Sequence, residues 1–261
     1  MICRMPRKTR RRKAFPREVE TALLEFSMYN PQYGGGSSAK TGIIVVDNKR
    51  FRYWDRSGGT VLGGNNVTQP CFILLFSRGD EAALQSVGEG NTCSMDYGAT
   101  SRQLVRAAVA LAIHRGAKQL TLTDNSTKKL PNKKWFRLSD MNMMTNGQTW
   151  YETIIPGLIP DSDYTEEVTE YRRIVTSATW SSISTCLGDP IDLTDPMFDG
   201  TTPGSAMTVF KGMKDAKTDF FADYRVGLLR CYGLSSLFGS SWVADLIATS
   251  PHYSDINVID S

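Results

Sequence analysis

The sequence predicts an α+β fold: an α/β core with a mixed, mostly antiparallel sheet and flanking helices, followed by a helical C-terminal extension. Three observations carry this expectation. Short β-type runs separated by Gly-, Asn- and Asp-rich turns fill much of the first half of the 261 residues. One strongly periodic helix joins an alternating strand through only two or three residues, the signature of an α/β connection. Helical patterns then dominate the C-terminal part of the chain.

Length and composition agree with such a fold. A chain of 261 residues, 41% apolar and 22% charged, has the make-up of a globular protein with a full core. No apolar run approaches the roughly 18 residues that a membrane-spanning helix requires, and the basic N-terminal stretch has no apolar segment behind it, so no secretory signal is expected. The five cysteines, Cys3, Cys71, Cys93, Cys186 and Cys231, are scattered and never spaced as CxxC. Free thiols in a reducing compartment are the expectation, hence cytosolic or nuclear residence. With only two histidines, His114 and His252, no zinc or other metal site is expected.

The chain opens on a basic tail, residues 1–17. Arg4, Arg7, Lys8, Arg10, Arg11, Arg12, Lys13 and Arg17 occur there with no acid, which is +8 against a total of +3 and leaves −5 for the rest. Such a tail lacks apolar periodicity and is expected to be disordered when free. Clustered Arg and Lys displace counterions from phosphate, so it reads as a nucleic-acid arm or an import signal. Nucleic acid is the expected partner of the tail, and no membrane is expected.

The α/β core is expected over residues 18–160. "EVETALLEFSMYN" (18–30) fits a short helix or a strand, and "NPQYGGGSSAK" (30–40) a loop. "GIIVVD" (42–47), "RFRYW" (50–54) and "CFILLF" (71–76) read as strands, and "AALQSV" (82–87) as a weaker one. "DRSGGTVLGGNN" (55–66) alternates only at Val61-Leu62 and reads as a mobile loop or a loose hairpin. In "SRQLVRAAVALAIHRGA" (101–117), Leu104, Ala107, Ala108, Leu111 and Ala112 recur at helical spacing. Thr100 or Ser101 caps this helix and Gly116 ends it. "KQLTLTD" (118–124) follows as an alternating strand, and "NSTKKLPNKKW" (125–135) as a basic loop.

The extension is expected over 161–261 and mainly helical: a long helix at 162–187, an Asp/Pro/Gly-rich loop at 188–205, and helical segments near 206–232 and 239–249. Asp192, Asp195 and Asp199 in that loop lack the glycine and terminal glutamate of a calcium loop and read as solvated turn acids. His114, near the end of the periodic helix, is explained by the helix dipole.

Two motifs carry chemistry. "YGATSRQLVRAAVALAIHRGAKQLTL" (97–122) is followed by Asn146-x4-Tyr151-Glu152-x4-Gly157-Leu158. This order resembles the GNAT superfamily of acyl-CoA N-acyltransferases over about residues 70–160. The resemblance implies a GNAT-like core and an acetyl-CoA pyrophosphate at the helix start, held by Gly88, Gly90, Gly98, Ala99, Thr100, Ser101 and Arg102. It makes Tyr151 the general acid for the thiolate leaving group. Glu152, Glu89 or Asp96 would take the proton of the amine. The family's loop motif is broken here, with Met95 in its basic or amide slot and Thr100 in its small slot, so the implied acyltransferase is a degenerate one. The alternative is an active acetyl-CoA-dependent N-acetyltransferase. A second pattern, "LTDNS…LSDMNMMTNGQTWYE", resembles orphan proteins of large DNA viruses, whose recurrent positions would fall on Asp124, Ser126, Leu138, Gly147, Thr149, Trp150 and Tyr151. It implies a viral source, in host cytoplasm or nucleus or in a virion, and no reaction. With the basic tail, the expectation is a structural or nucleic-acid-associated interaction protein with viral proteins as partners.

Overall fold

The computed structural model describes residues 40–64, 66, 68–77, 80–88, 99–129, 135–178, 231 and 236–260. They form an α+β fold around one mixed sheet of nine strands, in the order β11-β1-β2-β3-β4-β5-β6-β10-β9. The strands are β1 (Thr41–Val46), β2 (Lys49–Asp55), β3 (Thr60–Gly64), β4 (Phe72–Phe76), β5 (Glu81–Val87), β6 (Gln119–Asp124), β9 (Ile159–Pro160), β10 (Ser240–Asp245) and β11 (Asn257–Asp260). A separate two-stranded ribbon joins β7 (Thr127–Lys129) to β8 (Trp135–Arg137). The helices are α1 (Ser101–His114), α2 (Leu138–Asn146), α3 (Thr165–Ser177) and the single turn α4 (Leu246–Thr249). None of the described helices is long and apolar enough to cross a membrane.

Local chemistry explains the meander. Asp47 and Asn48 join β1 to β2 with φ of 46° and 63°, the left-handed pair that a two-residue hairpin needs and that Asp and Asn tolerate. Along β1 and β2, Ile44, Val46, Phe51 and Tyr53 alternate into the core and are buried. Every neighbouring pair is antiparallel except β5–β6, where a parallel step is bridged by α1. The buried stripe of α1 is built from Leu104, Val105, Ala107, Ala108, Val109, Ala110, Leu111 and Ala112. Four alanines in that stripe let the helix axis approach the sheet closely, where it packs on β1, β2, β4 and β5.

Several expectations need correction. Of the two readings of residues 55–66, the hairpin holds and the mobile loop does not: a 3-10 turn at Ser57–Gly59 leads into β3, which pairs with both β2 and β4. Its glycines serve packing. A Cβ on Gly63 would stand 2.0 Å from the Phe72 ring of the adjacent strand. The basic segment 125–135 contributes β7 and the start of β8, and a helix expected by no apolar period, α2, follows directly. The long helix over 162–187 begins as a 3-10 turn at Ser162–Tyr164, and α3 follows it from Thr165 to Ser177.

The segment 239–249 is mainly strand. Ser240, Trp242 and Ala244 alternate into the core as β10, and only residues 246–249 turn into helix. Tertiary pairing with β6 along its whole length decides this, Trp242 standing opposite Leu122 and Ala244 opposite Leu120. The C-terminal residues thus supply the edge strand β11 beside β1 and, at the other side, β10 between β6 and the edge strand β9. Residues 246–256 connect them along α1, burying Leu246, Tyr253 and Ile256. Cys71 and Cys231 are disulfide-bonded, against the expectation of free thiols. Scattered spacing in sequence says nothing about proximity in space. The basic tail, the segment 18–30, the loop 188–205 and the helical pattern at 206–230 lie outside the described residues.

Candidate functional site

The carboxyl ends of a parallel strand pair are where an open sheet presents its backbone to a ligand. Here the pairing of β5 with β6 runs from Glu81↔Gln119 to Leu84↔Leu122 and stops, although β5 continues to Val87 and β6 to Asp124. A bulge at the β4–β5 step, between Ile73↔Ser86 and Leu74↔Leu84, leaves Gln85 without an opposite residue and bends β5 at that point. Beyond the split, β6 is held by β10 through Asp124↔Ser240. The start of α1 lies between these two strands in the chain.

That start is closed by its own side chains. Thr100 Oγ1 accepts from the Gln103 N–H at 3.3 Å, and the Thr100 N–H donates to Gln103 Oε1 at 3.0 Å, a reciprocal capping box. The sequence signal is Thr100-x-x-Gln103. Arg102 does not stand free to meet a phosphate. It donates to the Thr153 carbonyl at 2.8 Å and to Thr153 Oγ1 at 3.1 Å. The helix start is thereby tied to the turn that carries Tyr151 and Glu152, so two parts of the sequence-derived site do meet.

The turn at residues 149–157 follows α2, which Gly147 ends at φ 66° in the left-handed region. The Thr149 N–H donates to Glu152 Oε2 at 2.7 Å, and the Glu152 N–H donates to Thr149 Oγ1 at 3.4 Å. The other oxygen of Glu152 takes Arg172 of α3 at 2.5 Å, and Arg172 Nε also donates to the Gly147 carbonyl at 2.7 Å. With its side chain 10% exposed, Glu152 is the buried half of a charge-assisted pair that locks this turn to α3. Tyr151 is 9% exposed and meets Trp150 edge to face, ring centres 5.1 Å apart. Tyr253 Oη donates to the Ile154 carbonyl at 3.1 Å and Thr249 Oγ1 to the Pro156 carbonyl at 2.9 Å, so the C-terminal segment clamps the same turn.

The other sequence-derived residues are scattered or outside. The Gly88 N–H donates to the Cys71 carbonyl at 2.8 Å, extending the β4–β5 ladder. Ala99 packs on the core and Ser101 opens α1. Glu89, Gly90, Met95, Asp96 and Gly98 lie outside the described residues, as do Arg4, Arg7, Lys8, Arg10, Arg11, Arg12, Lys13 and Arg17. No described group of three or more His, Cys, Asp or Glu is placed to hold a metal ion.

Asp124 and Ser126, which the sequence offered only as recurrent positions of a viral pattern, gain a specific environment. At the end of β6, Asp124 is fully buried. Its Oδ1 accepts the Ser126 N–H at 3.0 Å and the Ser126 hydroxyl, while Oδ2 has no partner among the described residues. Burial pushes its pKa above the usual carboxylate range; the Ser126 hydrogen bonds counter this and the nearby charge of Asp140 adds to it. Asp140, also fully buried, accepts from Ser236 Oγ and from the Leu237 N–H, each at 2.8 Å. Arg137 donates to the same Ser236 Oγ at 2.8 Å and lies 4.9 Å from the centre of the Phe238 ring. The Asp140 carboxylate pins the chain entering β10 to the start of α2, and the Asp124 carbonyl accepts the Gly239 N–H at 2.9 Å. A signal was present: Asp124 continues the buried phase of Leu120 and Leu122 in an alternating strand.

Two of the helix-start amide interactions, the only charged side chain on the first turn of α1 and the Glu152 carboxylate are all used within the chain. Chemically, the arrangement is a rigid joint between the β5–α1–β6 unit, the 149–157 turn and α3. No protein-family model, no curated protein and no solved structure matches this chain.

Proposed function

We propose that the protein is a non-catalytic interaction protein: a GNAT-like, degenerate acyltransferase scaffold of viral type that meets nucleic acid through its basic N-terminal tail. The observation that carries this reading is the commitment of Arg102 to Thr153 and of Glu152 to Arg172. A site built for acyl-CoA would keep its phosphate-binding cation and its proton acceptor facing the ligand. Here both serve the fold. Eight basic residues within the first 17 supply the contrasting feature, an electrostatic arm on a body of opposite net charge. The disulfide bonds of Cys71 and Cys231 favour a particle component over a resident of a reducing compartment.

The test pairs nucleic-acid binding with cofactor binding. Full-length protein should bind duplex DNA without sequence preference, with affinity falling by about 10³-fold or more between 50 and 200 mM salt if at least six of the tail's cations contact phosphate. Deleting residues 1–17 should remove that binding, and unchanged affinity in the truncated protein would overturn the arm. Acetyl-CoA at a hundredfold excess over a working dissociation constant would stabilise the fold by about 2.7 kcal/mol. The expected result is no shift in Tm at millimolar acetyl-CoA.

A second reading, an active acetyl-CoA-dependent N-acetyltransferase, draws support from the parallel β5–α1–β6 step, whose helix start is tied through Arg102 to the turn that carries Tyr151. A Tm rise with acetyl-CoA but not ATP would favour it.

A further inference from the structure

A groove of about 340 Å³ lies at the other end of α1, between that helix and the segment 250–258. Ala110 and Ile113 form one wall and Pro251 and Tyr253 part of the other, with His114, Ser250 and Ser254 as its polar lining. No lysine, arginine or carboxylate is among its lining residues. Tyr253 Oη is turned to the Ile154 carbonyl, so the phenol is engaged inside the protein and the ring serves as an apolar wall.

His114 is held by a relay. Its Nε2 stands 3.2 Å from Asp260 Oδ1. That same oxygen accepts the hydroxyl of Tyr53, which reaches it beside Gly42, where a Cβ would stand 2.2 Å from the Tyr53 oxygen. Asp260 is kept below the usual carboxylate range, first by the Tyr53 hydrogen bond, so it is an acceptor and Nε2 carries the hydrogen. A neutral imidazole bonded in this way presents Nδ1 as a lone-pair acceptor. Nδ1 has no partner among the described residues.

We infer that this groove binds a small, mainly apolar aromatic molecule bearing one hydroxyl, with the hydroxyl donating to His114 Nδ1. Apolar walls with a few placed polar groups are the make-up of a small-molecule site. The Ser254 hydroxyl is turned to the Pro251 carbonyl at 3.1 Å, and His114 is the one held by a relay. The lack of a lining cation disfavours an anion, and the fixed tautomer asks for a donor. The inference is independent of the proposed nucleic-acid role and of any acyl-CoA site.

The probes are 4-methylphenol and 4-methylanisole, which share a body and differ in the donor. With only two histidines in the chain, ring-nitrogen NMR of the full-length protein resolves His114 against His252 as internal control. Titration with 4-methylphenol at pH 8.5 should move the His114 Nδ1 resonance to saturation and leave His252 in place. The phenol should bind up to about tenfold more tightly than the anisole, the worth of one hydrogen bond. In His114→Phe that preference should vanish, while the wild-type ring-nitrogen titration stands whether or not the variant folds. An unmoved His114 signal, equal affinity for the two probes, or a preference that survives in folded His114→Phe would overturn the inference.

Discussion

Asp124 shows how a single side chain takes its properties from its surroundings. In the unfolded chain its carboxyl titrates near 3.8, and in the folded protein burial raises that value. The native state therefore holds its proton more tightly than the unfolded state. Its contribution to stability is fully present below the unfolded value and is lost as pH rises through the folded one. Asp124→Asn removes this term while keeping an acceptor for Ser126. The variant should thus gain stability relative to wild type as pH rises above about 4, and denaturant midpoints at pH 4, 6 and 8 would measure it. A constant difference across that range would mean that Asp124 is ionised in the fold. Tyr53 carries the same logic at the alkaline end: burial, then its bond to Asp260, raise it from 10.0 to about 12. Native stability should fall between those two values, and Tyr53→Phe should abolish that part of the fall.

Among the elements, β3 was hidden by its glycines. Gly63 reads as a loop residue, yet it faces Phe72 in register and leaves room for a fully buried ring. Gly63→Ala places a methyl where the ring stands, 2.0 Å from its nearest atom, and the overpacking should cost about 1–3 kcal/mol. Phe72→Leu in the same chain should recover part of that loss, because contacting residues are coupled. Strict additivity in the double variant, measured by chemical denaturation, would remove the steric explanation. The element α1 is the opposite case. Its apolar stripe, its Thr100-x-x-Gln103 cap and its terminal Gly116 are all local signals, and they place the helix to within a few residues.

At the scale of the molecule, long-range closure dominates. Two strands from the C-terminal part of the chain, β10 and β11, pair with β6 and β1, each more than a hundred residues earlier. The disulfide bonds of Cys71 and Cys231 add covalent closure. Both thiols should resist alkylation in the native, non-reduced protein and react after reduction, read by peptide mass. Reduction should lower stability by about 2–4 kcal/mol. Ready alkylation of Cys71 without reductant would show that no such bond forms.

By itself the sequence determined what depends on neighbours within a few residues: the strands 41–55 and 72–76, the helix 101–114 with its strand 119–124, the α+β class, and the charge of the tail. Periodicity, capping and turn chemistry act locally, so they are legible in a string. Tertiary structure alone decided that Gly63 sits in a strand, that 240–245 is strand rather than helix, and that Arg102, Thr153, Glu152 and Arg172 form one joint. It also brought His114, Asp260 and Tyr53 together across 207 positions of chain between the last two. Pairing and side-chain commitment are settled by partners far away in sequence, whose approach is fixed only when the sheet closes.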